Sequence, residues 1–195
     1  SSTPFSAKLF QYQGKKLEQL SIGSTEAYQK IYENIGAAKL PPRVVKVEKR
    51  GKQRHAAAPF TTSTLQQESV RKLGMSADRT MRIAQQLYEG IDIGGQTLGL
   101  ITYMRTDSVS LAKEAVEEIR GYIGANFSAD YLPHTSPEYK SKSKNAQEAH
   151  EAIRPTSIIR SPESIREFLT VDQARLYEMI WKRTLASQIT PARFD

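Results

Sequence analysis

Apolar positions change their period near residue 60. Before it, short alternating runs at residues 5–12, 17–22 and 43–49 predict strands, the first closed by a turn at Gln13-Gly14. Between them Ala27, Tyr28, Ile31, Tyr32 and Ile35 recur at helical spacing, with Ser24 or Thr25 to cap the helix and Gly36 to end it before Pro41-Pro42. After residue 60 the spacing is helical. Thr64 and Gln67 stand in capping-box register for a helix that stops near Leu73-Gly74, and Ala77, Met81, Ala84 and Tyr88 mark a second that ends at Gly90. Gly94-Gly95 and Gly99 permit tight turns into Leu100. Ala112, Ala115, Ile119, Tyr122 and Ile123 predict a third buried face, with Asp107, Ser108 or Ser110 as its cap. Ser161-Pro162 opens a short helix, and Thr170 with Gln173 opens a longer one carrying Leu176, Tyr177, Ile180, Trp181 and Leu185, which Pro191 stops.

The pattern predicts an α+β chain with one division near residue 60, no internal repeat, and an irregular loop over residues 126–146. Its 195 residues, 38% of them apolar, suffice for a real core. There is no membrane-length apolar run and no signal-like leader, so a soluble chain is expected. The absence of cysteine excludes disulfides and cysteine-zinc sites and suits a reducing cytosol, and three scattered histidines make no metal pattern. The net charge of +7 is concentrated: Lys39, Arg43, Lys46, Lys49, Arg50, Lys52 and Arg54 face only Glu48. This stretch suits either a phosphate backbone or a solvated, lysine-protected edge strand.

One segment suggests chemistry. In Ile101-Thr102-Tyr103-Met104-Arg105-Thr106-Asp107-Ser108 a strand-like run meets a predicted helix start. Residues two apart in extended backbone share a side, so Tyr103 and Arg105 face one way while Thr102 and Met104 face inward. A phenol, with an ordinary pKa of ~10, needs help to attack a phosphodiester, and a nearby guanidinium favours phenolate and shields phosphate charge. By itself the spacing is compatible with this role and also with a core tyrosine beside Leu98, Leu100 and Ile101.

Two further segments change that balance: Pro59-Phe60-Thr61-Thr62-Ser63-Thr64-Leu65-Gln66-Gln67 and Gln147-Glu148-Ala149-His150-Glu151-Ala152-Ile153-Arg154-Pro155-Thr156. Together with the tyrosine segment, and in this order, they resemble the type IA DNA topoisomerases, with bacterial topoisomerase I the nearest likeness. The resemblance implies a central fragment: residues 1–60 as the outgoing part of a β-rich arch domain, 61–189 as a mainly α-helical gate domain carrying the nucleophilic tyrosine, and 190–195 as the start of the return. It implies that Tyr103 attacks a DNA phosphate and keeps the 5′-phosphate as an ester, with Arg105 on the scissile phosphate. His150 then serves a phosphate or proton network, and Arg154 binds a nearby phosphate or carboxylate; a buried structural His150 and an ion-paired Arg154 are the alternatives. Thr106 and Ser108 in the tyrosine motif and Lys46 and Arg50 in the basic stretch complete the expected DNA-binding set.

The implied partners are single-stranded or underwound DNA and the remaining domains of the same polypeptide, in the bacterial cytoplasm at the nucleoid. No ATP is needed, because the ester conserves the bond energy. The family's magnesium-binding acidic cluster has no counterpart here, so Mg2+ is expected only for the intact enzyme and the fragment alone is expected to be inactive. The competing reading is a noncatalytic single-stranded nucleic-acid-binding module in which Tyr103 stacks or packs.

Overall fold

The computed structural model describes residues 4, 6–38, 44, 46–139 and 150–194. Among them helices combine with three two-stranded antiparallel sheets, a mixed α+β architecture. The chain divides into two compact units, Ser1–Lys49 and Arg50–Asp195, so residue 60 falls inside the second.

In the first unit β1 (Gln11–Tyr12) pairs with β2 (Lys15–Lys16) across Gln13 and Gly14, both at positive φ, the geometry of a tight hairpin turn. Helix α1 (Thr25–Gly36) starts where expected, with the Ser24 hydroxyl accepting from the Ala27 amide at 3.2 Å. The expected strands are mostly missing. Of residues 6–12 only the last two pair, residues 17–22 are irregular with a turn at 19–20, and residues 44 and 46–49 are irregular, while 5, 43 and 45 lie outside the described residues. Alternation makes a strand only where a partner accepts the ladder bonds and a surface accepts the apolar side; Val44 and Val47 have neither, and stay exposed.

The second unit begins with β3 (Lys52–Arg54). It pairs antiparallel with β6 (Ala192–Phe194), Lys52 opposite Phe194, so the two ends of the unit are pinned together. Helix α2 (Thr62–Glu68) begins earlier than expected. Its capping box joins Thr61 and Thr64, because Thr61 is the last extended residue, and Thr64 therefore occupies the third helical position rather than the cap. The helix runs on through a π-turn at Ser69–Leu73 and ends at Gly74, whose φ of 67° supplies the left-handed stop.

Helix α3 (Ala77–Glu89) buries Thr80, Ile83, Ala84 and Leu87, so only Ala84 of the expected stripe lies in the core. Both stripes have helical period; the tertiary neighbours select the one with Ile83 and Leu87, and Tyr88 turns outward. A hairpin follows, β4 (Ile91–Ile93) to β5 (Gln96–Leu98), around Gly94-Gly95. The Asp92 carboxylate accepts from the Gly95 amide at 2.7 Å.

Helix α4 (Lys113–Asn126) buries Ala115, Ile119 and Ile123 as expected, but Asp107, Ser108 and Ser110 do not cap it. Its cap residue is Ala112, and the Ala112 amide donates to Glu151 Oε1 at 2.6 Å. In place of the short helix at Ser161-Pro162 there are turns and a single 3-10 turn at Arg166–Phe168. Of the expected loop, residues 127–139 are irregular apart from a 3-10 turn at Ala129–Tyr131, and residues 140–149 lie outside the described residues. Helix α5 (Val171–Ser187) starts on the Thr170/Gln173 capping box and buries Leu176, Tyr177, Ile180, Trp181 and Leu185.

The core joins α2, α3, α4 and α5 around Phe60, Leu65, Leu87, Ile101, Ile119 and Ile153. Each fully buried large aliphatic or aromatic side chain contributes about 1.5–3 kcal/mol. Two single bridges, Phe60 to Ile153 and Ile101 to Pro155, bring the three segments singled out by sequence side by side.

Gly99 permits a close approach of backbone to backbone in this arrangement. A Cβ there would stand 2.7 Å from the Tyr88 carbonyl oxygen, a backbone atom that cannot swing aside. We expect Gly99→Ala to cost about 1–3 kcal/mol, as other overpacking substitutions do, seen as a lower denaturation midpoint with an unchanged denaturant slope.

Candidate active site

The tyrosine segment is neither strand nor helix. After the bridge at Ile101, residues 102–112 are irregular until α4 begins, yet the expected alternation survives: Tyr103, Arg105 and Asp107 are exposed while Met104 and Ser108 are buried. Side-chain bonds to the backbone preserve it. The Thr62 amide donates to the Thr106 carbonyl at 2.9 Å; the Thr62 hydroxyl donates to the Met104 carbonyl at 2.8 Å and accepts from the Thr106 amide at 2.9 Å. Thr102 does the same on the other flank. Its amide donates to the Arg154 carbonyl at 2.9 Å, and its hydroxyl donates to the Ala152 carbonyl at 2.7 Å and accepts from the Arg154 amide at 3.0 Å. Tyr103 thus sits on a turn fixed from both neighbouring segments.

Tyr103 is 45% exposed, and its ring meets that of Tyr88 edge-on at 5.4 Å between centroids. Two other tyrosines of this unit are committed elsewhere. The Tyr177 hydroxyl donates to the Arg160 carbonyl at 2.7 Å and burial raises its pKa; the Tyr139 hydroxyl lies against the Ala56 and Ser187 carbonyls, and burial raises its pKa too. A buried, hydrogen-bonded phenol is a poor nucleophile.

Beside the turn, Thr62, Ser63, Arg105, Thr106, Asp107 and His150 line one cleft of about 410 Å³. Arg105, Thr106 and His150 are therefore brought together, and His150 is exposed rather than structural. Arg154 is not in the cleft. Its guanidinium donates to both Glu151 oxygens, at 2.8 and 3.3 Å, and to the Pro155 carbonyl at 2.9 Å, so the carboxylate it binds is internal. Because Glu151 also receives the Ala112 amide, this pair ties the His150 segment to the start of α4. Ser108 is buried, its hydroxyl accepting from the Ser110 amide at 3.1 Å, which makes it a turn residue. Lys46 belongs to the first unit, where it pairs with Glu48, and Arg50 opens the second; neither lines the cleft.

Thr62, Tyr88 and Glu151 were not singled out for a role by sequence. Thr62 stood in a motif already noted, but its function depends on a partner more than forty residues away in sequence, and only the fold reveals it. Among the described residues no three histidine, aspartate or glutamate side chains converge as cation ligands, so these residues do not fit a magnesium site. No helix among them is long and apolar enough to cross a membrane.

The profile of a family described as DNA topoisomerase matches residues 3–195. DNA topoisomerase 1 of Rickettsia felis is 51% identical over 191 residues, covering 98% of this chain and 24% of that protein. DNA topoisomerase 1 of Xylella fastidiosa strain Temecula1 is 48% identical over 192 residues, covering 96% of the chain and 23% of the relative. The structure of full-length topoisomerase I from Thermotoga maritima superposes with a TM-score of 0.66 at 38% identity, over 94% of this chain and 27% of that one. The chain thus spans about a quarter of the length of the relatives it matches. With its three motifs juxtaposed around one exposed tyrosine and this likeness running along nearly its whole length, the chain belongs to the type IA DNA topoisomerase family.

Proposed function

We propose that this chain is the nucleophile-bearing part of a topoisomerase that relaxes negatively supercoiled DNA by transient single-strand cleavage, strand passage and religation. The observation that carries the proposal is Tyr103, half-exposed on a turn clamped by Thr62 and Thr102, with Arg105, exposed two residues on, and His150 lining the adjoining cleft.

The Tyr103 oxygen attacks a backbone phosphorus of single-stranded DNA, forming a P–O bond to the protein as the bond to the 3′-oxygen breaks. That oxygen leaves as a hydroxyl after taking a proton, and the 5′-phosphate stays on the tyrosine. Religation reverses the step without ATP. Arg105 is preorganised to bind the phosphate oxygens, where a fixed charge opposes the charge that develops in the transition state. His150 binds an adjoining phosphate oxygen or passes the proton. Arg154 supports from beneath through Glu151 and the backbone pairing with Thr102.

The same reading assigns residues 1–60 to an arch arm, 61–189 to the gate and 190–195 to the return. The pairing of β3 with β6 supports an outgoing and a returning chain side by side. Magnesium, DNA contacts beyond this cleft and the other gate face belong to the longer polypeptide, acting in the bacterial cytoplasm at the nucleoid.

In the longer enzyme with magnesium and a 3′-labelled oligonucleotide, label should move onto protein in a denaturing gel, and Tyr103→Phe should abolish the transfer while retaining DNA binding. Retained transfer in that variant makes Tyr103 structural and favours a binding module. The 195-residue chain alone should form no adduct. A second prediction concerns the ring beneath the nucleophile: Tyr88→Ala should slow cleavage by about tenfold, whereas Tyr88→Phe, which keeps the edge-on contact worth about 0.5–1.5 kcal/mol, should cleave at nearly the parent rate. Equal loss in both variants would assign the effect to the hydroxyl instead.

A further inference from the structure

A basic cavity of about 690 Å³ runs from Phe60, just before α2, to Arg71, Lys72 and Leu73 beyond its far end. Six cations reach it, Arg54, Arg71, Lys72, Arg175, Lys182 and Arg183, against two carboxylates. Glu68 serves three of them at once: Arg71 at 2.5 Å, Lys72 at 2.8 Å and Arg183 at 3.8 Å. The other carboxylate, Glu178, pairs with Lys182 at 2.5 Å, and Arg175 donates to the uncharged Leu73 carbonyl at 3.2 Å. Among the described residues that line it, the cavity therefore keeps a positive surplus.

Arg183 gives the surplus a fixed position. Its side chain is 18% exposed, its guanidinium lies 4.4 Å from the Phe60 ring centroid, and it reaches the Ala58 carbonyl at 3.5 Å. Burial lowers its pKa, with Glu68 opposing and Arg71 adding to the shift, yet a guanidinium stays charged in protein. Between the cations the lining is apolar: Ala57, Phe60, Leu73, Met179 and Ala186. Positive rim and apolar floor together match a nucleotide, with phosphate on the rim and base on the floor, the combination used by single-strand binding sites. A duplex offers no free base face to such a floor.

Resting on the topoisomerase reading, we propose that this cavity seats one nucleotide of single-stranded DNA, its phosphate held by Arg71, Lys72 and Arg183 and its base lying on Leu73 and Met179. The helical run that starts at Thr62 beneath the tyrosine turn delivers Arg71 and Lys72, on the order of 14 Å along its axis. A few nucleotides of extended strand span that distance, so the proposed occupant is the strand that Tyr103 holds.

The test is fluorescence anisotropy of a labelled short oligothymidylate with the 195-residue chain across a salt series. Arg71→Ala with Lys72→Ala removes two side chains that are 69% and 55% exposed, so folding is preserved and circular dichroism verifies it. Affinity at low salt should fall by about tenfold, and the logarithmic salt slope should become shallower by about 0.7 for each phosphate no longer neutralised. Met179→Ala should weaken oligothymidylate several-fold while leaving an abasic strand of equal length unaffected. An unchanged affinity and slope in the double variant overturns the site. Equal losses with the abasic strand overturn the base contact, and competition by free thymidine monophosphate as effective as by the oligonucleotide makes it a mononucleotide pocket. Cleavage plays no part in this readout, so failure of the Tyr103 assignment leaves it intact.

Discussion

The hydroxyl of Thr62 is the constraint on which the site depends. It donates to one carbonyl and accepts one amide of the same irregular turn, so a segment with no helix or sheet of its own is held as firmly as if it had one. Partly buried backbone groups must find partners; here Thr62 provides them for the turn, and Thr102, where the turn begins, provides them for Ala152 and Arg154 in the neighbouring segment. Remove that bonding and nothing local keeps residues 103 and 105 turned outward, because the turn lacks the periodic bonds that orient side chains elsewhere.

From that clamp the rest of the unit follows in layers. The bridges at Phe60 to Ile153 and Ile101 to Pro155 align the segments that carry the threonines, and both rest on fully buried side chains of the common core. Glu151 then links the layer beneath the cleft to the start of α4, joining Arg154 on one side and the Ala112 amide on the other. A partly buried ion pair of this kind matters less for net stability than for fixing geometry, since desolvation offsets much of its attraction.

Much of this was legible in the sequence where the determining interactions are local. The Thr170/Gln173 box and the apolar spacing behind it set the start of α5 and its buried face, and Gly94-Gly95 marked a turn that the hairpin uses. The alternation at Tyr103 and Arg105 was readable too, although its cause was not. Readings failed where a distant partner decides. Of the alternation expected over 43–49, the described residues 44 and 46–49 join no sheet; α3 chose between two equally periodic stripes; α4 starts at Ala112 with no side-chain cap, and Glu151 rather than the nearby aspartate and serines holds the Ala112 amide. For Arg154 the motif left a phosphate, a carboxylate or an ion pair open, and the fold supplies the carboxylate, Glu151, from three residues away.

The short ladder between Lys52–Arg54 and Ala192–Phe194 has a consequence for how such a unit tolerates change. Everything between the two strands is a single closed loop of chain, and the entropy of closing a loop rises only with the logarithm of its length, about 0.6 kcal/mol for each doubling. Residues added at an exposed connection such as 127–139 therefore hardly weaken the closure. The unit can lengthen or shorten its surface segments in related chains while its points of entry and exit stay in register, which makes it a cassette carried on two neighbouring strands.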